Sequence, residues 1–461
     1  MGKFTADYHF ARGVTALQIR LAGIGAGSGG SRGGTLPLVN PQGSAIAWYV
    51  NRLGYLLSVG RPKAQVAMYR TTNSIWMGDE DTIEVTERLS QQLLEHQVDF
   101  DYLDEQALTT VGTLADGGLK NLSGQVYRGI VIPSSTVITR AALHRLRAFA
   151  AQGGKVIFVG RTPTMVVERT FLKPADGAPD LSFAVLEPAA EITERVVQAL
   201  PKPDVALDRP CPPISCNHRS LSDAELYFLF NESNQRQSRT AIVAGGGDPQ
   251  VWDAGTGTIH PLTGATVGNG TVTVPLSLEP YEAKLIVLGP LPAGAAESKP
   301  ALAADQTLLE LSGDWSLTLG DKRLTTPLKS WEDLGVPAFG GMALYRKEFT
   351  APPSTGPVFL ECDNVRDYAK VRLNGVELEG HSWRPYRWEI TKALKPGTNV
   401  LEIEVQGSGS GGRGARGGGA PSPSTGVGTA GLRERRYIPG PVVSGLLPAV
   451  RLTTFGGRSV N

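Results

Sequence analysis

The stretch "VRLNGVELEGHSWRPYRWEITKALKPGTNVLEIEV", residues 371–405, decides the fold of the C-terminal part of the chain. Its Asn374-Gly375 pair is a strong short hairpin signal, because a tight primed turn needs positive φ at both central residues. The stretch therefore lies in an all-β segment, and a sandwich of the jelly-roll type is expected over residues 300–457. A linker rich in Ala and Pro, "PLPAGAAESKPALAAD", leads into it.

Further upstream, "AELYFLFNES", "TAIVAG", "PQVWDAGTGTIHPL" and "AKLIVLG" read as short strands broken by turns, a small antiparallel β domain over residues 206–292. Before the Pro-rich stretch "PKPDVALDRPCPP" the pattern alternates between types. "KAQVAMYR" is strand-like, Val85, Leu89 and Leu93 mark one face of a helix, and "YRGIVIP" suits a buried strand. Leu143, Leu146 and Phe149 mark a second helix, stopped by Gly153-Gly154 before the strand "KVIFVG". Such alternation indicates a parallel sheet covered on both faces, so a doubly wound, flavodoxin-like α/β domain is expected over residues 61–205. In residues 1–60 a strand at Thr15–Leu21, a Gly-rich loop and a helix from Ser44 to Ser58 are expected. Ile46, Val50, Leu53 and Leu57 fall at helical spacing, Ser44 is the cap, and Gly60 and Pro62 end the helix. A single unit of this kind must lean on a larger body to bury its apolar faces.

The 461 residues are too many for one ordinary core and point to three or four units. Lys plus Arg number 45 against 44 Asp plus Glu, which gives no global field to attract nucleic acid or an anionic membrane. The three cysteines, Cys211, Cys216 and Cys362, are too few for a disulfide framework and leave the compartment undetermined. No uninterrupted apolar run is long enough to cross a bilayer, and the first residues lack the pattern of a secretory signal, so the chain is expected to stay where it is made.

Five pieces in order, "LSGDWSLTL", "ALYRKEFTAPP", "VRDYAKVRLNGVELEGHSWRPYRWEIT", "PGTNVLEIEV" and "SGLLPAVRL", resemble the sugar-binding, galactose-binding-like jelly-roll domain of glycoside hydrolase family 2. The upstream pieces "YLLSVGRPKAQVAMY", "DFDYLDEQAL", "YRGIVIPSS", "LRAFAAQGGKVIFVG" and "YFLFNES" resemble the region that follows the catalytic barrel in glycoside hydrolase family 106, the α-L-rhamnosidases. The resemblance implies an N-terminal (β/α)₈ barrel with two catalytic carboxylates and a bound calcium, of which residues 1–60 supply at most the last strand and helix. The fold class expected is thus multidomain α/β plus all-β, with a partial barrel remnant at the start. Glycoside hydrolysis needs two carboxyl side chains flanking the bond. From Tyr8 through Gly78 there is no Asp or Glu, and Asp7 alone is insufficient. No catalytic residue and no cofactor is therefore assigned to this chain, calcium belonging only to the barrel that the family implies.

Several motifs carry chemistry on their face. Trp76 and Asp79, with Glu80 and Asp81 beside them, follow the first strand of the α/β domain, a place where doubly wound sheets bind ligands. The preferred reading is that these acids complement a helix dipole. Gly25, Gly27 and Gly30 fit a dinucleotide spacing, and Gly29, Ser31 and Gly33 a nucleophile elbow, but both motifs need a helix opening at the loop. Arg413 and Arg416 in "GSGSGGRGARGGGAPSPSTG" lack interleaved aromatic residues for RNA, and a disordered insertion is expected. Cys211, Cys216 and His218 offer three metal ligands where a closed zinc site wants four. Unliganded residues are preferred, with a Cys211–Cys216 disulfide left open. Trp383, Arg384 and Tyr386, next to Arg387 and Trp388, suit a carbohydrate contact through stacking and hydroxyl hydrogen bonds, although alternation must send part of the cluster into the core. The partners expected are carbohydrate, including rhamnose-containing glycans, and a separate catalytic barrel or further copies of this chain.

Overall fold

The computed structural model describes residues 2–17, 41–168, 177–293, 295, 305–336, 339, 341–365, 368–406 and 445–455. The Gly-rich loop and the Arg413–Arg416 insertion lie outside the described residues. Those described form seven sheets and a minority of helix.

The N-terminal part departs from the expected strand, loop and helix. Gly2–Phe10 and Pro41–Ser58 are helices, Thr15 to Leu17 have no regular structure, and the rest of the expected strand is outside the described residues. The second helix begins at Pro41 rather than Ser44. Proline fits a first helical turn because its missing N–H has no intrahelical partner there.

Strand alternation explains where these helices sit. The six-stranded antiparallel sheet runs Arg61–Pro62, Ile214–Ser220, Glu225–Asn231, Ala283–Gly289, Asp248–Asp253, Thr258–Pro261. Leu226, Phe228, Phe230, Leu285 and Val287 point to one face and pack with Phe10, Val50, Leu53 and Leu57 of the helices. Tyr227, Leu229, Ile286 and Leu288 point to the other and pack with Val243, Val272 and Val274 of a four-stranded antiparallel sheet. The expected lean of the first residues on a larger body is thus met by this sheet.

The parallel sheet has the order Phe100–Leu103, Val66–Tyr69, Gly129–Pro133, Lys155–Val159, Val185–Glu187, or 2-1-3-4-5 along the chain. On one face Val66, Met68, Val131 and Ile157 meet Val85, Leu89 and Leu93 of helix Asp81–Glu95. On the other, Ile130, Ile132 and Phe158 meet Leu143, Leu146 and Phe149 of helix Arg140–Ala151. Thr139 caps the latter, its hydroxyl accepting from Ala142 N at 3.1 Å.

The C-terminal part stacks a four-stranded sheet on a six-stranded one. Leu360, Cys362 and Leu452 of the first meet Trp315, Tyr345, Val371 and Ile403 of the second. Asn374 and Gly375 stand at φ 53° and 86°, the primed geometry their types suggested. The Asn374 side chain also ties the turn to the strand Thr398–Gln406, donating to Asn399 Oδ1 at 2.8 Å and accepting from Val400 N at 3.0 Å.

Candidate functional site

Any glycosidase chemistry in residues 1–78 would need Asp7, the sole carboxylate of that stretch. Asp7 lies on the helix Gly2–Phe10 and is fully buried against the helix Pro41–Ser58. Tyr49 Oη donates to its Oδ1 at 2.6 Å, and Lys3, one turn earlier, reaches its Oδ2 at 2.6 Å. Burial pushes the Asp7 carboxyl pKa up, against the opposing pull of Lys3 and Tyr49. Each oxygen is engaged and neither faces water, so the group pins two helices.

At the C-terminal edge of the parallel sheet, Trp76 ends the short helix Thr72–Trp76 and is 74% exposed. Asp79 does not cap the following helix; its Oδ1 accepts from Arg161 Nη2 across the edge. Of the acids given the dipole role, Asp81 takes it, together with Glu84, in the first turn. Arg161 itself is fixed through its backbone, donating to Ser134 Oγ at 3.0 Å and accepting from Ser135 N at 2.9 Å. Thr71 Oγ1, Asp79 Oδ2 and Ser135 Oγ are sealed without hydrogen-bond partners. Trp76 and Asp79 thus lie three residues apart at this edge, but only the indole faces solvent.

The cluster after the hairpin divides as strand geometry requires. Tyr386 and Trp388, two residues apart on the strand Tyr386–Glu389, are both in the sandwich core, 5% and 3% exposed. The expected stacking of Tyr386 on a sugar is thereby corrected: its ring face is not available. Arg387 pairs with Glu361 at 3.2 Å and lies over the Phe359 ring. Arg384 donates to Asn364 Oδ1 at 2.6 Å. Trp383 leaves the sandwich altogether, its ring centroid 5.2 Å from that of Tyr49 and its edge against Gly255. It wedges between the C-terminal sandwich and the N-terminal helices. Trp383→Ala is expected to lower stability by about 1–2 kcal/mol through lost apolar contact, read as a lower thermal midpoint with faster hydrogen exchange around Tyr49.

His218 is a buried titratable group with a carboxylate at each ring nitrogen. Its Nδ1 faces Asp204 Oδ2 at 2.8 Å and its Nε2 faces Glu225 Oε2 at 2.9 Å. The ring stacks on Tyr227 with centroids 4.0 Å apart. Both ring nitrogens can donate only in the imidazolium form. Burial, the largest influence, pushes the His218 pKa down, but the hydrogen bonds and charges of Asp204 and Glu225 outweigh it and hold it above 6.5. For Glu225 burial acts upward and is likewise outweighed, chiefly by His218, so its carboxyl stays below 4.5. Asp99, nearby, is raised to about 7 by burial and by the charge of Asp101. The arrangement is a cationic clamp joining residue 204 to the adjoining strands. Cys211 and Cys216 are buried free thiols, donating to Gln237 Oε1 and the Gln97 carbonyl. Neither reaches His218 as a co-ligand, and among the described residues no group of three His, Cys, Asp or Glu side chains converges as a metal would require. The hairpin Ile214–Asn231 sets His218 opposite Tyr227, which alternation alone would have shown; Asp204 comes from a distant connection with no local signal.

Comparison with known proteins gives two family matches. Residues 40–265 match the family described as α-L-rhamnosidase, glycoside hydrolase family 106. Residues 315–415 match the galactose-binding domain-like family of glycosyl hydrolase 2. A curated protein of Formosa agariphila named "Putative beta-glucuronidase" is 23% identical over 277 residues, 58% of this chain and 22% of its own length. The rhamnosidase from Novosphingobium sp. PP1Y shares the fold at 24% identity and a TM-score of 0.59, over 89% of this chain and 40% of that one. A β-galactosidase from Bacillus circulans aligns over 53% of this chain and 44% of its own, at 11% identity and a TM-score of 0.33. This chain therefore spans less than half the length of each of these proteins.

Proposed function

We propose, from a chain that is glycoside hydrolase-like over residues 40–265 and carries a galactose-binding-like domain over residues 315–415, that it acts in carbohydrate metabolism as the accessory, C-terminal portion of an α-L-rhamnosidase-like enzyme and does not hydrolyse glycosides by itself. One observation carries the reading. The sole carboxylate of residues 1–78 is Asp7, and it is sealed between two helices by Tyr49 and Lys3. A glycosidase needs a pair of carboxyl groups that flank a bound sugar; a single one with no path to solvent supplies neither acid nor nucleophile. In this reading the helix Pro41–Ser58 closes a barrel, the 2-1-3-4-5 parallel sheet is flavodoxin-like, and the terminal sandwich is a jelly roll. Incubation of the pure chain with an aryl α-L-rhamnoside is expected to release no phenol above the rate in buffer. Turnover abolished by substituting one Asp or Glu of this chain would overturn the proposal.

A second reading is that the chain completes a separately encoded catalytic barrel. What favours it is the outward face of the helix Pro41–Ser58, where Trp48 and Tyr55, two turns apart, are 60% and 67% exposed. Exposed aromatic residues stacked along one helix face mark a surface suited to a protein partner. Light scattering that shows a monomer indifferent to Trp48→Glu would count against it.

A further inference from the structure

Where the strand Val66–Tyr69 begins, at the edge of the parallel sheet opposite Trp76 and Asp79, an open cleft of about 390 Å³ lies between the α/β part and the six-stranded sheet. Its size is that of sites for small ligands. Its charge is one-sided: Arg61, Lys63 and Arg128 line it against a single lining carboxylate, Asp204. That carboxylate is already engaged, accepting from Gln65 Nε2 at 2.8 Å and facing His218 at 2.8 Å. Asp101, behind the lining, is engaged too, accepting from Gln125 Nε2 and from Tyr127 Oη, each at 2.9 Å.

The cations are not engaged in the same way. Among the described residues Arg61 and Lys63 form no side-chain hydrogen bond or ion pair; Lys63 acts on Glu225 only through its field. Arg128 donates to the Asp116 carbonyl at 2.9 Å, which leaves its charge uncompensated. Gly124, at φ +86°, keeps the wall low, since a Cβ there would lie 3.1 Å from Arg61 Nη1. Gln125 Oε1 in the lining is buried without a partner, and such a carbonyl is completed by a donor from water or a ligand. Paired acids around unpaired cations in a concave site make a place for an anion that also carries hydrogen-bond donors.

We propose that this cleft binds a saccharide bearing an oxyanion, a sugar carboxylate or sulfate ester, with the charge held by Arg61, Lys63 and Arg128. The saccharide half of the statement rests on the glycoside hydrolase-like reading above; the anion half rests on the cleft alone. The test is calorimetry of the full chain with a glucuronic-acid oligosaccharide, a neutral rhamnose-containing oligosaccharide and sodium sulfate, repeated on the Arg61→Ala, Lys63→Ala double variant. Both residues are exposed, so the variant should fold, and circular dichroism checks that it does. Lys63→Glu serves as a second variant. The expected result is binding of the acidic oligosaccharide but not the neutral one, weakened about tenfold to hundredfold in the double variant and falling with added salt. No binding of the acidic sugar, or equal binding by wild type and both variants, overturns the proposal. Sulfate ion bound as tightly as the sugar also overturns it, since the site would then take a bare inorganic anion. Aryl rhamnoside turnover would remove the accessory reading without touching this result, so the two failures are distinct.

Discussion

Replacing His218 with phenylalanine is expected to keep the stack on Tyr227 while deleting both N–H donors, and to lower stability by about 2–3 kcal/mol near pH 5.5. Removing one partner of a buried ion pair costs more than that when the other is fully sealed. Here the Asp204 and Glu225 side chains are 19% and 25% exposed, so water screens part of the repulsion left behind. The pH profile is the sharper readout. His218 is raised above 6.5, so its contribution is fully present below that value and is lost as pH rises through the raised pKa. Glu225 is depressed below 4.5, so its contribution is present above that value and is lost as pH falls through the lowered one. The gap between wild type and variant should therefore be widest between 4.5 and 6.5. Asp99, at about 7, adds a decline of the same sign as pH rises, and loss of the His218 charge, which pulls the Asp99 pKa down, pushes it further up in the variant. Denaturant titrations at about pH 5.5 and about pH 9 decide the matter; an equal gap at both would remove the imidazolium from the account.

Asp7→Ala should have the larger effect, a loss of about 3–5 kcal/mol, because it leaves the Lys3 ammonium and the Tyr49 hydroxyl facing a space that held a carboxylate. Lys3, with 12% of its side chain exposed, can turn partly toward water, which favours the lower end. Tyr49→Phe removes only one of the two contacts and should cost about 1 kcal/mol. The expected signature is early opening of the N-terminal helices rather than collapse of the whole chain, since separate cores open separately. Protease sensitivity of residues 2–58 measured beside global unfolding distinguishes the two; unchanged sensitivity in Asp7→Ala would show that the pin carries no load.

Legibility in the sequence followed the strength of local periodicity. Val85, Leu89 and Leu93, and Leu143, Leu146 and Phe149, are buried as their spacing predicted, because an amphipathic stripe has one way to face a sheet. Asn374-Gly375 was readable because positive φ at two consecutive residues admits few residue types. The helix Gly2–Phe10 was missed: its face is made by Ala6 and Phe10 around a buried Asp7, a pattern without a continuous apolar stripe. The sugar-contact reading of Tyr386 failed because aromatic residues suit a core and a glycan equally, and only strand direction separates them. The His218 clamp was invisible because Asp204 and Glu225 are brought to the ring by strand pairing and by a connection, with no spacing rule between them. Trp383 is expected at a carbohydrate contact, and no sequence pattern signals that its ring meets Tyr49 of its own chain.

The strand Glu225–Asn231 buries both of its faces, one of them beneath the helices Gly2–Phe10 and Pro41–Ser58, far earlier in the sequence. During synthesis those helices leave the ribosome about 230 residues before the strand Ala283–Gly289 that finishes their seat. At roughly 5–20 residues per second, Leu53 and Leu57 wait about 10–45 s before that seat is complete. The apolar face of these helices should therefore be a chaperone client during synthesis, and moving residues 205–290 ahead of residues 2–58 in coding order should raise the yield of soluble protein.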